Sequence, residues 1–292
     1  GARRLIHPAI EAYGSAMTDF TIHPLAPALG AEIRGLDLRR PLDPATIDRL
    51  RSAWLEHLVL VFRDQPISED DQIRFAACFG ETIGARDKQR GDGGDRRLML
   101  ISNIRENGEA IGALPDGELM FHSDSVYLEK PLMGAMLYGE EVPSTGGNTL
   151  FANMYAAYDA LPEDIRTRIA PLRAMNIFDY QTQVRSGRFD RSKSPQAVHP
   201  AVRTHPETGR KSLYVNRLMT EELVGLDEAD SDALLATLFD YAEDPAHIYA
   251  HEWRAGDLLM WDNRCTQHAR TDFPSSERRL LRRIGIEGDV PY

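Results

Sequence analysis

The chain has 292 residues, of which 42% are hydrophobic and 27% charged, enough apolar material for one large core or two average ones. Its 45 acidic and 34 basic residues give a net charge of −11, so the chain as a whole has no attraction for nucleic-acid phosphates or anionic membranes. No apolar run reaches the roughly 18 residues of a transmembrane helix. Two distant cysteines, Cys78 and Cys265, exclude a disulfide framework and a cysteine zinc site, and they fit a reducing cytoplasm.

The first sixteen residues differ in character from the rest of the chain. Met17 follows Gly-Ser-Ala, and strand-like alternation begins at Asp19. No apolar segment with a cleavage site precedes it, which excludes a secretory signal. We therefore expect residues 1–16 to be a leader or an added arm, and residues 17–292 to form a single domain.

Two helices are predicted early in the chain. Asp43 can cap free amides and Pro44 suits a first helical turn, so a helix is expected to begin there. The continuous apolar run that ends at Phe62 is typical of a buried strand. Ser68 and Asp71 resemble a capping box and predict the start of a second helix.

The remainder of the chain predicts many short strands separated by Gly- and Pro-containing turns. The strand-like segments are 98–104, 119–122, 132–138, 149–152, 212–216, 248–253, 257–262 and 279–287. Helices are expected at about 153–170 and 228–241. This mixture predicts a mainly β fold with peripheral helices, a double-stranded β-helix of the jelly-roll, cupin-like kind.

Two polar segments interrupt this pattern. Residues 86–97 contain no apolar side chain and predict either a solvated connector or a lid that orders on binding. Residues 178–211 are long, polar and without clear periodicity. We expect them to form an insertion between strands, where structure that shapes a substrate site is common.

Three side chains predict a metal site. His122 and Asp124 are separated by one residue, and alternate residues of a strand share one face. His268 lies just past a predicted strand. Two histidines and one carboxylate match the facial triad of non-haem iron(II) oxygenases. The His-x-Asp pair is common by itself, so the interpretation as a metal site depends on the motifs found elsewhere in the chain.

Two arginines near the C-terminus point the same way. Arg279 and Arg283 lie eleven and fifteen residues after His268 and share one parity, so both should face one side of a strand. A guanidinium beside a metal is costly unless it meets an anion, and arginine binds carboxylates with two parallel hydrogen bonds. Arg278 and Arg282 have the opposite parity and are expected to point outward.

Four motifs together resemble one known family. They are the His122-x-Asp124 pair, the Gly-Gly-Asn-Thr turn that ends at Thr149, the Trp-Asp-Asn-Arg block at 261–264 followed by His268, and the arginine-rich strand at 278–283. These motifs are similar to those of the taurine dioxygenase and 2,4-dichlorophenoxyacetate dioxygenase family of Fe(II)- and 2-oxoglutarate-dependent oxygenases. The resemblance extends from about residue 20 to the C-terminus.

The resemblance implies cofactors and roles for five side chains. His122, Asp124 and His268 would hold Fe(II). The keto-acid end of 2-oxoglutarate would bind the metal, and its far carboxylate would bind Arg279 and the hydroxyl of Thr149. The implied reaction uses O2 to hydroxylate a substrate and releases succinate and CO2.

The same resemblance implies an acidic substrate, because Arg283 matches the position that often binds the acidic group. As we understand the family, taurine enzymes carry an asparagine where this chain has Glu118, and they use a histidine in the preceding loop, which has none here. Taurine is therefore disfavoured. Glu118 either faces solvent within a turn or faces the pocket and contacts an amine or hydroxyl of the substrate. Asn216 is a further candidate for the pocket wall.

The remaining polar residues have simpler interpretations. His199 and His205 lie in a turn-rich segment and are expected to be loop residues. Residues 262–264 are expected to hold the turn that presents His268.

The favoured prediction is a dioxygenase that hydroxylates a small carboxylate or sulfonate. One alternative is the same mechanism on an amino-acid-derived acid in secondary metabolism, and another is a cupin-like binding protein without turnover. We expect a cytoplasmic homo-oligomer, a dimer or tetramer, with no nucleic-acid or membrane partner.

Overall fold

The structure is a computed structural model that describes residues 19–83, 97–114, 117–179 and 194–292. Within these ranges the strands are β1 (Thr21–Pro24), β2 (Ala31–Arg34), β3 (Val59–Phe62), β4 (Thr82–Ile83), β5 (Met99–Ser102), β6 (Arg105–Glu106), β7 (Glu109–Ala110), β8 (Leu119–His122), β9 (Gly134–Glu141), β10 (Thr149–Asn153), β11 (Arg173–Ile177), β12 (Gln196–Pro200), β13 (Val202–Thr204), β14 (Lys211–Leu213), β15 (Thr220–Leu223), β16 (Ile248–His251), β17 (Leu258–Asp262), β18 (Thr266–Arg270) and β19 (Leu280–Ile286). The helices are α1 (Pro44–His57), α2 (Glu69–Ala77), α3 (Met154–Ala160), α4 (Glu163–Ile169) and α5 (Glu228–Ala242). The predicted mainly β fold with peripheral helices is confirmed.

Two sheets of mostly antiparallel strands form the centre of the fold. The larger sheet has the order β1-β2-β3-β17-β9-β19-β4, and β5 also pairs with β19. The smaller has the order β16-β10-β18-β8. Strands that are distant in sequence therefore lie side by side, as in a jelly roll.

The burial of β3 shows how the layers are arranged. Its inward residues Val59 and Val61 join a core cluster that also contains Phe151 of the smaller sheet. The alternate residues Leu60 and Phe62 join a second cluster with α1 and α2. Because both faces of the larger sheet are covered at β3, this strand is continuously hydrophobic rather than alternating, which is why the sequence shows an uninterrupted apolar run there.

The two early helices begin where the sequence predicts. The Asp43 side chain accepts a hydrogen bond from the amide of Thr46 at 2.9 Å, and Pro44 is the first residue of α1. The amide of Asp71 donates to Ser68 Oγ at 3.2 Å, and the amide of Ser68 donates to Asp71 Oδ2 at 2.9 Å. The predicted capping box is thus complete on both sides.

Other expectations need correction or lie outside the described ranges. The single helix predicted at 153–170 is two helices, α3 and α4, because Leu161 is extended before Pro162 and a proline disfavours helical geometry in the preceding residue. Residues 194–211 of the predicted insertion contain β12 and β13 rather than loop alone. The leader at 1–16, all of segment 86–97 except Arg97, and residues 180–193 lie outside the described residues.

The described part of the chain contains no helix with the length and apolarity needed to cross a bilayer.

Candidate active site

Two histidines face each other across neighbouring strands of the smaller sheet. His122 is the last residue of β8, and the register pairs it directly with His268 of β18. Their ring centroids are 4.2 Å apart. His268 therefore lies within a strand, and not just past one as the sequence suggested. The sheet register itself brings the two imidazoles together.

Asp124 completes this pair from the turn that follows β8. Its Oδ1 lies 3.7 Å from Nε2 of His122 and 3.8 Å from Nε2 of His268. The ligand atoms of the three residues lie within 4.8 Å of one another, and all three residues are buried. The structure thus brings together the three residues that the sequence predicts as a facial triad.

Hydrogen bonding and charge prepare these atoms for a cation. Nδ1 of His122 contacts the carbonyl oxygen of Met120 at 2.8 Å, so it carries the hydrogen and leaves the Nε2 lone pair pointing inward. Burial lowers the pKa of His122, and it lowers the pKa of His268 to about 3. Burial opposes ionisation of Asp124, but Arg283 and the two imidazoles hold its pKa well below the usual value. Neutral imidazoles with an ionised carboxylate are a donor set that fits Fe(II).

Arg283 lies against this cluster. Its Nη2 donates to Asp124 Oδ2 at 2.6 Å. The parity argument therefore holds for Arg283, which reaches from β19 toward the smaller sheet. The sequence predicts Arg283 as a substrate contact, and the structure places its guanidinium beside the triad.

Arg279, the residue just before β19, forms a second positive site. The side chain is 2% exposed, and its Nη2 donates to the carbonyl oxygen of Gly147 at 3.3 Å. Its Nε and Nη1 have no hydrogen-bond partner among the residues that the structure describes. Burial and the nearby Arg270 lower the pKa of Arg279 to about 9. A buried guanidinium with two unsatisfied nitrogens fits a planar carboxylate such as that of 2-oxoglutarate.

A glycine turn holds Arg279 in place. Gly146 and Gly147 have φ angles of +69° and +64°. A Cβ at Gly146 would lie 2.3 Å from the carbonyl oxygen of Asp272, and one at Gly147 would lie 3.3 Å from Arg279 Nε. Glycine is required here by backbone conformation and by close approach.

Thr149 follows this turn as the first residue of β10. It is 3% exposed, and its hydroxyl accepts a hydrogen bond from Trp253 Nε1 at 3.0 Å. The register places it opposite Arg270 of β18 and His251 of β16. Thr149 thus lies on a strand adjoining the one that carries His268.

The two remaining predicted site residues lie apart from these contacts. Glu118 is exposed, which agrees with the interpretation that it faces solvent within a turn. Asn216 is buried, and its Oδ1 accepts a hydrogen bond from the amide of Met219 at 2.9 Å. This bond fixes the turn that leads into β15. A substrate contact for either residue stays a prediction.

Sequence reasoning missed Arg270, whose charge acts on Arg279. Arg270 is buried and lies two residues after His268 on the same strand, so the two side chains share a face. The parity rule that grouped Arg279 with Arg283 would have found it, had 266–270 been recognised as a strand.

Two expectations about arginine and asparagine are wrong in part. Arg282 does lie on the face of β19 opposite Arg283, but it is only 5% exposed, because Tyr138 and the segment before α2 cover that face. Asn263 does not hold the turn before His268. It contacts the backbone of Asp124 instead. Arg278 is exposed, as expected, and pairs with Glu141.

The histidines expected in loops are both buried. His199 lies in β12, and its Nε2 contacts the carbonyl oxygen of Leu128 at 2.9 Å. His205 lies in the turn after β13, as expected for a loop residue, yet it is fully enclosed. Neither residue touches the triad.

His205, Asp262 and Cys265 also lie close enough together to suggest a metal site. Nδ1 of His205 accepts a hydrogen bond from the amide of Thr208 at 3.1 Å, so Nε2 carries the hydrogen and donates to Asp262 at 3.0 Å. Arg264 donates to both oxygens of Asp262. Burial raises the pKa of the Cys265 thiol. The donor atoms of His205 and Asp262 are therefore already used in internal hydrogen bonds, and Cys265 is held as a neutral thiol.

Two histidines and a carboxylate held together by a jelly roll, beside a buried arginine that has no acidic partner among the residues described, define a class of protein, the non-haem iron(II) oxygenases. Comparison with known proteins narrows this class. The family described as "Taurine catabolism dioxygenase TauD, TfdA family" matches residues 21–284.

Individual relatives cover nearly the whole chain. The (S)-phenoxypropionate/alpha-ketoglutarate-dioxygenase of Sphingobium herbicidovorans is 36% identical over 288 residues, covering 92% of this chain and 96% of the relative. The alpha-ketoglutarate-dependent 2,4-dichlorophenoxyacetate dioxygenase of Cupriavidus pinatubonensis is 36% identical over 284 residues, covering 92% and 98%. The solved structure of AAD-2 in complex with Mn(II) and N-oxalylglycine has a TM-score of 0.79 at 32% identity and covers 94% of this chain and 99% of that one.

The chain belongs to the TauD/TfdA family of dioxygenases. The predicted double-stranded β-helix is confirmed by the likeness to AAD-2. The protein is an oxidoreductase, a 2-oxoglutarate-dependent dioxygenase that uses Fe(II), 2-oxoglutarate and O2.

Proposed function

We propose that this dioxygenase hydroxylates a small acidic molecule beside the cluster formed by His122, Asp124 and His268. His122, Asp124 and His268 hold Fe(II) through the atoms that face one another. Arg279 and Thr149 hold the far carboxylate of 2-oxoglutarate. The observation that carries the proposal is the buried Arg279 guanidinium, two of whose nitrogens have no hydrogen-bond partner in the described part of the chain, because a buried charge of that kind calls for an anion.

When bound, iron and 2-oxoglutarate supply the oxidation: one atom of O2 enters the substrate C–H bond, the other enters succinate, and CO2 leaves. The protein's residues orient the iron ligands and shield them from water. Trp261 packs against the His268 ring with centroids 4.9 Å apart, and Phe151 stacks on it at 6.1 Å. These aromatic rings pack against the His268 imidazole and help to keep water away from it.

Arg283 supports the acidic substrate class. Its Nη2 lies 2.6 Å from Asp124 Oδ2, so its positive charge is at the cluster itself. A carboxylate or sulfonate that reaches Arg283 would place its neighbouring C–H bonds close to the metal. At such distances one charge outweighs the net charge of −11.

The relatives named for phenoxypropionate and dichlorophenoxyacetate support aryloxy acids within this class. Hydroxylation of the carbon beside an ether oxygen gives a hemiacetal, which breaks into a carbonyl compound and a phenol. The expected products are therefore a 2-oxo acid and the released phenol.

A panel of compounds tests this proposal. Substrate-stimulated succinate release is measured with aryloxy acids, alkylsulfonates, alkyl sulfates and amino-acid-derived acids. Release with an aryloxy acid or a sulfonate supports the proposal, and release only with amino-acid-derived acids supports a role in secondary metabolism. No release with any compound would contradict the proposed substrate class.

Two further measurements test the proposed iron ligands. Anaerobic Fe(II) with 2-oxoglutarate should give a weak metal-to-ligand absorption band in the visible, and its absence would contradict the assigned ligands. Asp124→Ala should abolish turnover while the protein remains folded. Wild-type coupling in that variant would refute the role of Asp124.

We also propose that residues 17–292 form one catalytic domain that assembles as a homo-oligomer in the cytoplasm. Cys78 and Cys265 are both free thiols, which supports a reducing compartment. Sedimentation of the purified chain tests the assembly, and a single monomeric species would contradict it.

A further inference from the structure

The hydroxyl of Thr149 receives a hydrogen bond from a group that can only donate. Trp253 Nε1 lies 3.0 Å from Thr149 Oγ1, and both residues are buried, at 8% and 3% exposure. An indole has an N–H donor and no acceptor, whereas a threonine hydroxyl has one hydrogen and two lone pairs. Thr149 must therefore accept from Trp253, and its own hydrogen points elsewhere.

The indole of Trp253 is held from two directions. The His251 ring meets it edge-on, with centroids 4.8 Å apart at 85°. On β9, Gly139 leaves room for the ring, since a Cβ there would lie 3.2 Å from indole Cε3. A larger residue at 139 would displace the indole.

His251 is itself fixed by hydrogen bonds at both ring nitrogens. Its Nε2 contacts Asp257 Oδ2 at 3.0 Å, and its Nδ1 contacts the Tyr249 hydroxyl at 3.0 Å. Asp257 also accepts from Arg63 Nη1 and from the amide of Arg254. The indole N–H therefore has one fixed direction, toward Thr149.

Thr149 directly follows the turn that contacts the buried cation of the site. Gly147, two residues earlier, accepts a hydrogen bond from Arg279 Nη2, so the turn before Thr149 is in contact with that guanidinium. Within the described ranges, Thr149 Oγ1 has no hydrogen-bond partner other than Trp253. The hydroxyl hydrogen is thus available to an acceptor beside Arg279.

We propose that Trp253 is a positioning residue for the cosubstrate: its indole N–H directs the Thr149 hydroxyl hydrogen toward the far carboxylate of 2-oxoglutarate at Arg279. This inference rests on the proposed function of Thr149 and Arg279. Without the indole N–H, the hydroxyl rotates freely and its hydrogen bond to the carboxylate is no longer preset. We expect 2-oxoglutarate to bind about five- to tenfold more weakly, the size of one ordinary intramolecular hydrogen bond, because the hydroxyl stays present but loses its preset orientation.

The test compares Trp253→Phe with the matched variant Trp54→Phe. Trp54 is also fully buried, and its Nε1 has no hydrogen-bond partner among the described residues. Its replacement therefore exchanges a buried indole for a phenyl ring without removing a hydrogen bond. Binding of 2-oxoglutarate is measured anaerobically with Fe(II). Trp253→Phe should bind it five- to tenfold more weakly than Trp54→Phe, with kcat at saturating 2-oxoglutarate preserved. Equal affinities would overturn the inference.

A double-mutant cycle with Thr149→Val tests the route of the effect. If Trp253 acts through the hydroxyl, the double variant binds 2-oxoglutarate no more weakly than Thr149→Val alone. If instead the losses of 2-oxoglutarate affinity in the two single variants multiply in the double variant, Trp253 acts independently of the Thr149 hydroxyl and the inference is wrong.

Pyruvate provides a second readout, because it has the keto-acid end and lacks the far carboxylate. Its binding should be the same in the wild type and in Trp253→Phe. An equal loss for pyruvate and 2-oxoglutarate would indicate a general structural role and overturn the inference.

Failure of the inference and failure of the proposed function give different results. If the wild type does not bind 2-oxoglutarate, the proposed function is wrong. If it binds 2-oxoglutarate and Arg279→Ala weakens binding while Trp253→Phe does not, only the positioning role is wrong. Should Trp253→Phe not fold, benzothienylalanine at position 253 keeps the ring shape and removes only the N–H donor.

Discussion

Asn263 binds both backbone groups of Asp124. Its Oδ1 accepts from the Asp124 amide at 2.8 Å, and its Nδ2 donates to the Asp124 carbonyl oxygen at 2.9 Å. The same Nδ2 contacts the carbonyl oxygen of Leu132 at 2.9 Å. Although Asp124 lies in a turn, both its backbone amide and its backbone carbonyl are thus held by hydrogen bonds, as they would be within a strand.

Replacing Asn263 should therefore weaken metal binding. We expect Asn263→Ala to lower Fe(II) affinity roughly 10- to 100-fold, because residues that orient a ligand commonly have effects of that size. Asn176→Ala is the control, since Asn176 is also buried with two side-chain hydrogen bonds but lies in β11. Iron titration measures both variants, and equal affinities would contradict the role of Asn263.

Arg279→Gln should raise the apparent KM for 2-oxoglutarate strongly. Removing one partner of a buried charge pair costs roughly 2–5 kcal/mol, which corresponds to about 30-fold or more. Arg282→Gln is the matched control, because Arg282 is a buried arginine three residues later and lies on the face of β19 opposite Arg283. Steady-state kinetics decide, and an unchanged KM for Arg279→Gln would move the carboxylate anchor to Arg283.

Arg283→Gln should instead raise the KM for the acidic substrate and leave the KM for 2-oxoglutarate within about twofold. Loss of a guanidinium partner for a substrate anion costs roughly 2 kcal/mol or more. Arg278→Gln controls for the change in net charge, since Arg278 is exposed. If the two variants show the same KM for the substrate, Arg283 does not bind its acidic group.

Gly146→Ala and Gly209→Ala separate backbone strain from steric overlap. Both glycines have φ +69°, yet a Cβ meets the Asp272 carbonyl oxygen at 2.3 Å in the first and nothing within 4 Å in the second. Gly209→Ala should cost about 1–2 kcal/mol of unfolding free energy from the left-handed conformation alone. Gly146→Ala should cost more and should also weaken 2-oxoglutarate binding. Denaturant unfolding gives the comparison, and equal costs would contradict the overlap.

Stability should fall as the pH drops below about 6.5, partly because of His199. Burial lowers the pKa of His199, so the unfolded chain takes up a proton before the folded chain does. One such proton contributes a slope of about 1.4 kcal/mol per pH unit, present between the unfolded and the folded pKa. His199→Gln keeps a donor for Leu128 and should show a shallower slope in urea unfolding at pH 7.5, 6.5 and 5.5. Identical slopes would rule out His199 as the titrating group.

Local features of the fold were predictable because their causes are local. The Asp43 cap and the Ser68–Asp71 capping box depend on residues three apart in sequence, and both are present in the structure. The break at Pro162 was equally local and could have been predicted from the proline alone.

Features that depend on distant contacts were not predictable in the same way. Residues 266–270 contain a histidine and an arginine and do not alternate, so nothing local marks β18 as a strand. It is a strand because β8 and β10 pair with it on both sides. Arg282 shows the same limit, since parity gives the face of a strand but not what covers that face.

The candidate site follows the same division. The family resemblance predicted the triad, Thr149 and Arg279 as a set. The structure brings the ligand atoms of the triad within 4.8 Å of one another and places Thr149 on the strand beside that of His268. Trp253 and Asn263 act through hydrogen bonds to residues 104 and 139 positions away, and no spacing rule reveals such pairs.

The cross-strand pairing of His122 with His268 has a consequence for how such enzymes diversify. Because two of the three candidate iron ligands take their separation from main-chain hydrogen bonds, that separation survives wholesale exchange of the connecting segments. Different substrates can then be accommodated by changes in the loops around the site, while the iron ligands keep their arrangement.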